Sequence, residues 1–233
     1  MTLDEFNYYE EIIPEDETDS STNVYKITSN SEGQVMKIEG FNEEQAEFQM
    51  KVENRYSINS MQSCSSPTFC NSSTSWLSMT TSATKLTTGN ILLNNSFTWL
   101  KNPNFTMTDM VGMNYNDSAV IVPSTTKFSY KYKDTLGTHS VPYRQIANNA
   151  HGIAATFNLK SFGADSPPAN HHGYLSVQIQ KGNAADIRAN VFGQYTHTTA
   201  TFNISLSIRS GDISLGFLTK ETKMPSTALV VTY

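Results

Sequence analysis

The sequence predicts an all-β protein, an antiparallel β-sandwich, from three observations. Apolar and polar residues alternate along the C-terminal quarter of the chain, for example over residues 202–209, which places one set of side chains in a core and the other in solvent. About a dozen such segments occur without a convincing amphipathic helix between them. Only 16% of residues are charged, whereas Ser, Thr and Asn are abundant. A barrel would satisfy the same pattern, but a sandwich is the more common solution.

The chain begins with an acidic segment that we expect to be disordered. Residues 1–53 carry 14 acidic and 3 basic side chains, and eight of the acids precede Lys26. We therefore assign residues 1–22 as an acidic flexible tail and residues 23–233 as a single β-sandwich domain. The alternative is an acidic arm that docks on a basic surface of this protein or of a partner.

The first strands are predicted over residues 24–28 and 34–38, joined by a short turn that contains Gly33. We predict a further strand over residues 46–56, because apolar side chains alternate there with polar ones. A short helix over residues 42–50 is the competing assignment.

Residues 60–90 contain sixteen Ser or Thr residues. A flexible linker would have this composition, but Trp76, Leu77 and Leu86 are interspersed, and a linker does not need such anchors. The segment therefore predicts Ser/Thr-rich strands rather than a linker.

The two cysteines, Cys64 and Cys70, flank a short segment that contains Pro67. A disulfide between them would close a small loop, which fits an exported protein better than a cytosolic one. Free thiols are the alternative. A zinc site is not expected, because no further Cys or His lies close by in the sequence.

Later strands are predicted around residues 91–100, 107–113, 120–123, 128–132 and 153–159. Asp109 falls on the apolar side of its alternation, so its carboxylate lies either at a strand end or in a hydrogen-bonded position inside. Residues 161–173, which contain two adjacent prolines, are predicted to form a loop.

The sequence contains no motif that predicts catalysis, a metal site or a cofactor. His171 and His172 are adjacent, and adjacent residues of a strand point to opposite faces, so the pair is not expected to chelate one ion. Carboxylates beyond residue 53 are few and widely separated. The basic residues are scattered rather than clustered, which argues against nucleic-acid binding.

Two aromatic positions are candidate ligand-binding sites. Tyr115 is followed by Asn116 and Asp117, and Tyr143 is followed by Arg144. In β-sandwich modules an aromatic ring beside amide, carboxylate or guanidinium groups holds a sugar through stacking and directed hydrogen bonds. We expect both positions to lie in loops at the surface.

No signal peptide and no apolar run long enough for a transmembrane segment occurs in the sequence. The chain is therefore either cytosolic or an exported protein whose export signal has been removed. The cysteine loop and the low charge favour a secreted or cell-surface protein.

Four stretches of the C-terminal part are similar to those of a known class of proteins: residues 128–132, 152–160, 173–177 and 193–198. These stretches resemble those of small secreted β-rich proteins of Gram-positive bacteria whose function is uncharacterised. In such proteins a Gly-x-Tyr-x-His segment follows a strand near the end of the domain. The resemblance covers about residues 100–233, implies export and a β-sandwich, and supplies no active site.

Together these observations predict a secreted or cell-surface, non-catalytic binding or adhesion protein, with carbohydrate or another surface polymer as its ligand. One alternative is an extracellular hydrolase of cell-wall or other polymers. A second is a β protein that self-assembles through its sheet edges or acts as a toxin. The sequence does not indicate an oligomeric state.

Overall fold

The computed structural model describes residues 19–57, 73–103, 105–116, 118–161, 168–199, 205–216 and 221–233. In chain order, the elements of these ranges are β1 (Asp19–Ser29), β2 (Val35–Phe41), α1 (Glu43–Ser57), β3 (Ser73–Lys85), β4 (Ile91–Lys101), β5 (Thr108–Tyr115), β6 (Ala119–Ile121), β7 (Lys127–Asp134), β8 (Gly137–Ser140), β9 (Tyr143–Asn149), β10 (Gly152–Asn158), β11 (Ala169–Lys181), β12 (Arg188–Thr198), β13 (Ser205–Arg209), β14 (Asp212–Gly216), β15 (Glu221–Lys223) and β16 (Thr227–Thr232).

Fourteen of the described strands form two antiparallel sheets that pack face to face, so the predicted β-sandwich is confirmed. Sheet I has the order β2–β1–β3–β4–β11–β7–β8, with β6 beside β11. Sheet II has the order β15–β12–β5–β10–β9, with β16 beside β12. The long strand β11 shows why alternation predicts this fold: Leu175, Val177 and Ile179 are fully buried between the sheets.

Aromatic rings from both sheets fill the centre of the core. Phe97 of sheet I stacks on Phe157 of sheet II, with ring centroids 5.2 Å apart, and contacts the ring of Tyr195 at 4.9 Å. Such ring pairs add to the stabilisation that comes from burying their apolar surface. These contacts join the two sheets through side-chain packing alone.

Asn95 adds a hydrogen-bonded connection between the sheets. It lies on β4 and is completely buried. Its side-chain amide donates to the carbonyl oxygens of Gly112 and Gln194, at 2.9 and 3.1 Å, on two neighbouring strands of sheet II. A buried amide is costly unless it is hydrogen-bonded, so this contact favours one relative position of the sheets.

The hairpin β13–β14 covers part of the outer face of sheet II. Ile213 and Leu215 pack there on Met110 and Ala154. The backbone N–H of Ile213 also donates to the side-chain oxygen of Gln194, at 3.1 Å. The hairpin therefore gives sheet II a third layer.

The predicted strand over residues 46–56 is wrong, because these residues belong to helix α1. The side-chain oxygen of Asn42 accepts a hydrogen bond from the backbone N–H of Gln45, at 2.8 Å, and the side chain of Gln45 accepts one from the backbone N–H of Asn42. This reciprocal capping box satisfies two backbone donors that otherwise lack partners at a helix start. The competing prediction, a short helix over residues 42–50, is therefore correct in type, although α1 extends to Ser57.

The helix covers one corner of the outer face of sheet I. Ala46 packs with Val24 and Trp76 there, while Phe48, which suggested a buried strand position, is 64% exposed. Within the described residues, no helix has the length and apolar character that a membrane span requires.

Several predicted segments differ in extent or lie outside the described residues. Strand β1 begins at Asp19, so the last residues of the predicted tail pair with β3; the preceding residues lie outside the described ranges, as do Cys64 and Cys70. Residues 73–85 of the Ser/Thr-rich segment form a strand. The predicted loop over residues 161–173 is too long, because β11 already begins at Ala169 and pairs with β7.

Gly193 allows a close approach between β12 and the facing side chain of Thr81, which leads to a stability prediction. A Cβ atom at this position would lie 1.8 Å from the hydroxyl oxygen of Thr81 and 2.5 Å from that of Thr227. We expect Gly193→Ala to lower the free energy of unfolding by about 1–3 kcal/mol, the usual cost of overpacking a core. The matched control is Gly40→Ala, whose Cβ would meet only a Tyr25 ring carbon at 3.9 Å. Urea unfolding measures the free energy of unfolding of both variants. If Gly193→Ala were as stable as Gly40→Ala, the predicted steric clash would be contradicted.

Candidate functional site

The structure separates the two predicted ligand-binding positions. Tyr115 is the last residue of β5 and is only 2% exposed. Its hydroxyl donates to the carbonyl of Asn149 at 3.3 Å, at the end of β9. Tyr143 lies at the beginning of the same strand, so the two positions are about 20 Å apart along β9. They do not form one site, and the ring of Tyr115 has no free face for stacking.

Asn116 follows Tyr115 and holds the turn before β6. Its side-chain oxygen accepts the backbone N–H of Asn190 at 3.2 Å, and its amide donates to the hydroxyl of Ser118 at 3.2 Å. Asp117 lies outside the described residues. In this turn Asn116 has a structural role that the sequence did not indicate.

Tyr143 and Arg144 lie in strand β9 rather than in the expected loop. Tyr143 is 53% exposed, and its ring packs edge-on against Phe128 at 6.1 Å. A bulge in the β9–β10 pairing lies beside this position. Arg144 donates to the hydroxyl of Thr108 at 2.8 Å. The tyrosine is therefore available to a ligand, whereas the guanidinium already has a partner.

Asp109 is the centre of a buried polar cluster. Its carboxylate accepts hydrogen bonds from the hydroxyl of Tyr195 at 2.5 Å and from the backbone N–H of Thr198 at 3.4 Å, and it contacts Nδ1 of His197 at 2.9 Å. Tyr195 and His197 are two residues apart on β12, so both point into the core. Of the two positions predicted for Asp109, the hydrogen-bonded one inside is confirmed.

Trp99 of sheet I completes this cluster. Its indole N–H donates to the hydroxyl oxygen of Tyr195 at 3.0 Å, and its ring meets His197 edge-on at 5.3 Å. Burial, together with the nearby Asp109 carboxylate, raises the pKa of Tyr195 well above its ordinary value, so its hydroxyl remains a donor. All four side chains are at most 3% exposed, so a substrate cannot reach them and their role is structural.

His171 and His172 lie on strand β11 and not in the predicted surface loop, and one is buried while the other is exposed. His171 is 1% exposed. Its Nδ1 is hydrogen-bonded to the hydroxyl of Tyr130 at 2.8 Å, and that hydroxyl oxygen also accepts the backbone N–H of Lys160 at 2.9 Å. His172 is exposed. In the part of the chain that the structure describes, no group of three or more His, Cys, Asp or Glu residues is placed to hold a metal ion.

Sequence reasoning missed the outer face of sheet I. The strand registers align outward side chains in rows that cross β1, β3, β4, β11 and β7, with about 4.8 Å between strands and about 6.7 Å between rows. We call the following residues the hydroxyl face: Thr22, Thr80, Ser96, Tyr174 and Ser129 in one row, and Ser20, Ser82, Asn94, Ser176 and Lys127 in the next.

The hydroxyl face follows from alternation within the Ser/Thr-rich segment. Along β3, Leu77, Met79 and Ala83 are buried in the core, which turns Thr80 and Ser82 outward. The face offers hydroxyl and amide groups that can both donate and accept hydrogen bonds. It contains no carboxylate, and Lys127 lies at one corner. A period-two search restricted to Ser and Thr could have found this pattern in the sequence.

Two buried atoms on this face have unused hydrogen-bonding capacity. The side-chain oxygen of Asn94 and the hydroxyl of Ser176 have no hydrogen-bond partner among the described residues. They belong to residues directly opposite each other on β4 and β11. A buried polar atom without a partner costs about 1–3 kcal/mol. Ser176 is fully buried and the Asn94 oxygen is out of contact with solvent, so a ligand on the face does not reach either group.

No protein-family model matches the chain, and no curated protein matches it in sequence. Among solved structures, it is similar to a collagen-binding domain of a Staphylococcus aureus adhesin, with 10% identity and a TM-score of 0.35 over 62% of this chain and 88% of that one. It is also similar to the collagen-binding domain of an Erysipelothrix rhusiopathiae surface protein, with 6% identity and a TM-score of 0.32 over 68% of this chain and 65% of that one. At such values the similarities identify neither a family nor a ligand.

The buried position of His171 leads to a prediction about pH. Burial lowers its pKa from 6.5 to about 4. Between these values the unfolded chain binds a proton that the folded chain does not, so this residue makes stability fall as the pH is lowered from 6.5 to 4. His171→Asn keeps an acceptor for Tyr130 and does not titrate. We therefore expect a shallower loss of unfolding free energy in this variant over that range.

Urea unfolding at several pH values measures this slope. The parent protein, measured under the same conditions, is the reference for the slope. If the unfolding free energy of His171→Asn fell with pH as steeply as that of the parent protein, the lowered pKa of His171 would be contradicted.

Proposed function

We propose that this protein is a secreted or cell-surface, non-catalytic binding module that recognises a hydroxyl-bearing polymer, with polysaccharide as the ligand class, through its hydroxyl face. The observation that carries the proposal is the alignment of hydroxyl and amide side chains in register across β1, β3, β4, β11 and β7.

The shape of the face favours a polymer over a small molecule. The rows extend about 19 Å across the strands. Ser20 and Lys127 are exposed, Ser176 is buried, and the other side chains of the face are partly exposed. Each hydrogen bond to such a surface contributes only about 0.5–1.5 kcal/mol net. Useful affinity therefore needs many contacts at once, which a repeating ligand supplies. A polysaccharide has hydroxyl groups that donate and accept, as the face does.

The chemistry of the face favours binding over hydrolysis. General acid–base catalysis needs a proton donor or acceptor within hydrogen-bond reach of the substrate. The hydroxyl face contains no carboxylate or histidine. The Asp109–His197 pair lies inside the core, where a polymer cannot reach it.

Export is part of the same proposal. A disulfide between Cys64 and Cys70 would agree with it, because disulfides persist in oxidising compartments. An intact mass that rises on reduction would show this bond, whereas alkylation of both cysteines without a reductant would exclude it.

The proposal predicts retention on insoluble cellulose, chitin or xylan in a pull-down assay. The double variant Thr80→Val, Ser96→Ala removes two hydroxyls of one row while it keeps the strand surface almost unchanged. We expect at least about fivefold weaker retention, because each lost hydrogen bond costs about 0.5–1.5 kcal/mol. The matched control is Thr232→Val, an exposed threonine of β16 in sheet II.

Ser176→Ala is a second control. Ser176 is fully buried and its hydroxyl has no partner among the described residues, so its removal should leave retention unchanged and leave the free energy of unfolding unchanged or raise it by about 1 kcal/mol. The proposal fails if the parent protein binds none of the three polymers, or if the double variant is retained as well as Thr232→Val.

A further inference from the structure

A cleft opens at the edge of the sandwich, between β6 of sheet I and the end of β9 in sheet II. Its volume is about 610 Å³, within the range of about 300–1,000 Å³ that is usual for small-molecule sites. Val120, Ile121 and Pro123 lie on one wall, and Asn148 and Ala150 lie on the other. The cleft is separate from the hydroxyl face, and nothing so far assigns it a ligand.

The wall that follows β6 is held in place by hydrogen bonds. The hydroxyl of Thr125 donates to the carbonyl of Val122 at 2.7 Å and accepts the backbone N–H of Gln178 at 3.0 Å. Ser124, which lines the cleft, has a left-handed backbone with φ of 64°. Non-glycine residues adopt this conformation at some cost, and the surrounding contacts must maintain it. The turn is therefore preorganised.

The opposite wall is equally constrained. Asn149 donates its amide to the carbonyl of Ile208 at 2.9 Å and accepts the backbone N–H of His151 at 2.8 Å, while its own carbonyl accepts the hydroxyl of Tyr115. These contacts occupy the side chain of Asn149. Its neighbour Asn148, which is exposed, is the residue of this wall that can offer an amide to a ligand.

The lining determines the chemistry of the ligand. Val120, Ile121 and Pro123 provide an apolar surface, whereas Ser124, Thr126 and Asn148 provide hydroxyl and amide groups. Among the described residues that line the cleft, none is charged. A charged ligand would lose its hydration there without a counter-charge. A sugar ring combines an apolar face with neutral hydroxyls, and a monosaccharide or short oligosaccharide fits the volume.

We infer that this cleft binds one unit of a neutral saccharide. The apolar wall packs against the face of the ring, and Asn148, Ser124 and Thr126 bond its hydroxyls. The inference does not depend on the proposed function, because a soluble saccharide would occupy the cleft without contact to the hydroxyl face.

The test is a calorimetric titration of the full chain with glucose, galactose, N-acetylglucosamine and their di- to tetrasaccharides, with glucuronate as a charged comparator. At least one neutral saccharide should bind with a millimolar or lower Kd. Asn148→Ala should weaken binding about three- to tenfold, and Ala150→Trp should abolish it by filling the cleft. Gln145→Ala is the matched control, because Gln145 is exposed on the same strand but does not line the cleft; it should leave the Kd unchanged.

Thermal unfolding verifies that each variant is folded. The inference is overturned if no neutral saccharide binds, if glucuronate binds equally well, or if a folded Ala150→Trp variant keeps the parent affinity. The failure of this site is distinguishable from failure of the proposed function. Ala150→Trp should still be retained on insoluble polymer, whereas Thr80→Val, Ser96→Ala should still bind the soluble saccharide.

Discussion

The burial of the Asp109 carboxylate is the constraint on which the rest of the structure depends. A buried carboxylate is costly unless hydrogen-bond donors surround it, and here Tyr195, His197 and Thr198 of the adjacent strand contact it. This requirement specifies the register of β5 against β12. The link from Tyr195 to Trp99 then ties sheet II to sheet I, and the Asn95 amide adds a second tie.

The outward orientation of the proposed binding surface is a consequence of these hydrogen bonds between the sheets. A slip of one residue in a strand would exchange its two faces, so β3 would expose Leu77 and Met79 and bury Thr80. Because the core side of sheet I is held against sheet II, the hydroxyl side must face outward. The same alternation thus produces an aromatic core on one side and a surface rich in hydrogen-bonding groups on the other.

The sequence predicted the features that depend on local alternation, and it did not predict those that depend on register. The place of Asp109 in an apolar series left two positions open, a strand end or a hydrogen-bonded position inside, and the structure shows the second. Helix α1 was only the competing assignment, because the exposed Phe48 imitates a strand pattern. The burial of Tyr115 and the rows of the hydroxyl face arise from strand pairing between distant segments, and a single sequence does not contain this pairing.

The most direct test of the polymer-binding account is methyl NMR of threonine-labelled protein, titrated with soluble fragments of cellulose, chitin and xylan. Thr22 and Thr80 lie on the hydroxyl face, whereas Thr81 and Thr227 are fully buried between the sheets. The account predicts that the methyl signals of Thr22 and Thr80 shift on binding while those of Thr81 and Thr227 do not. Binding that leaves the Thr22 and Thr80 signals unchanged would contradict it.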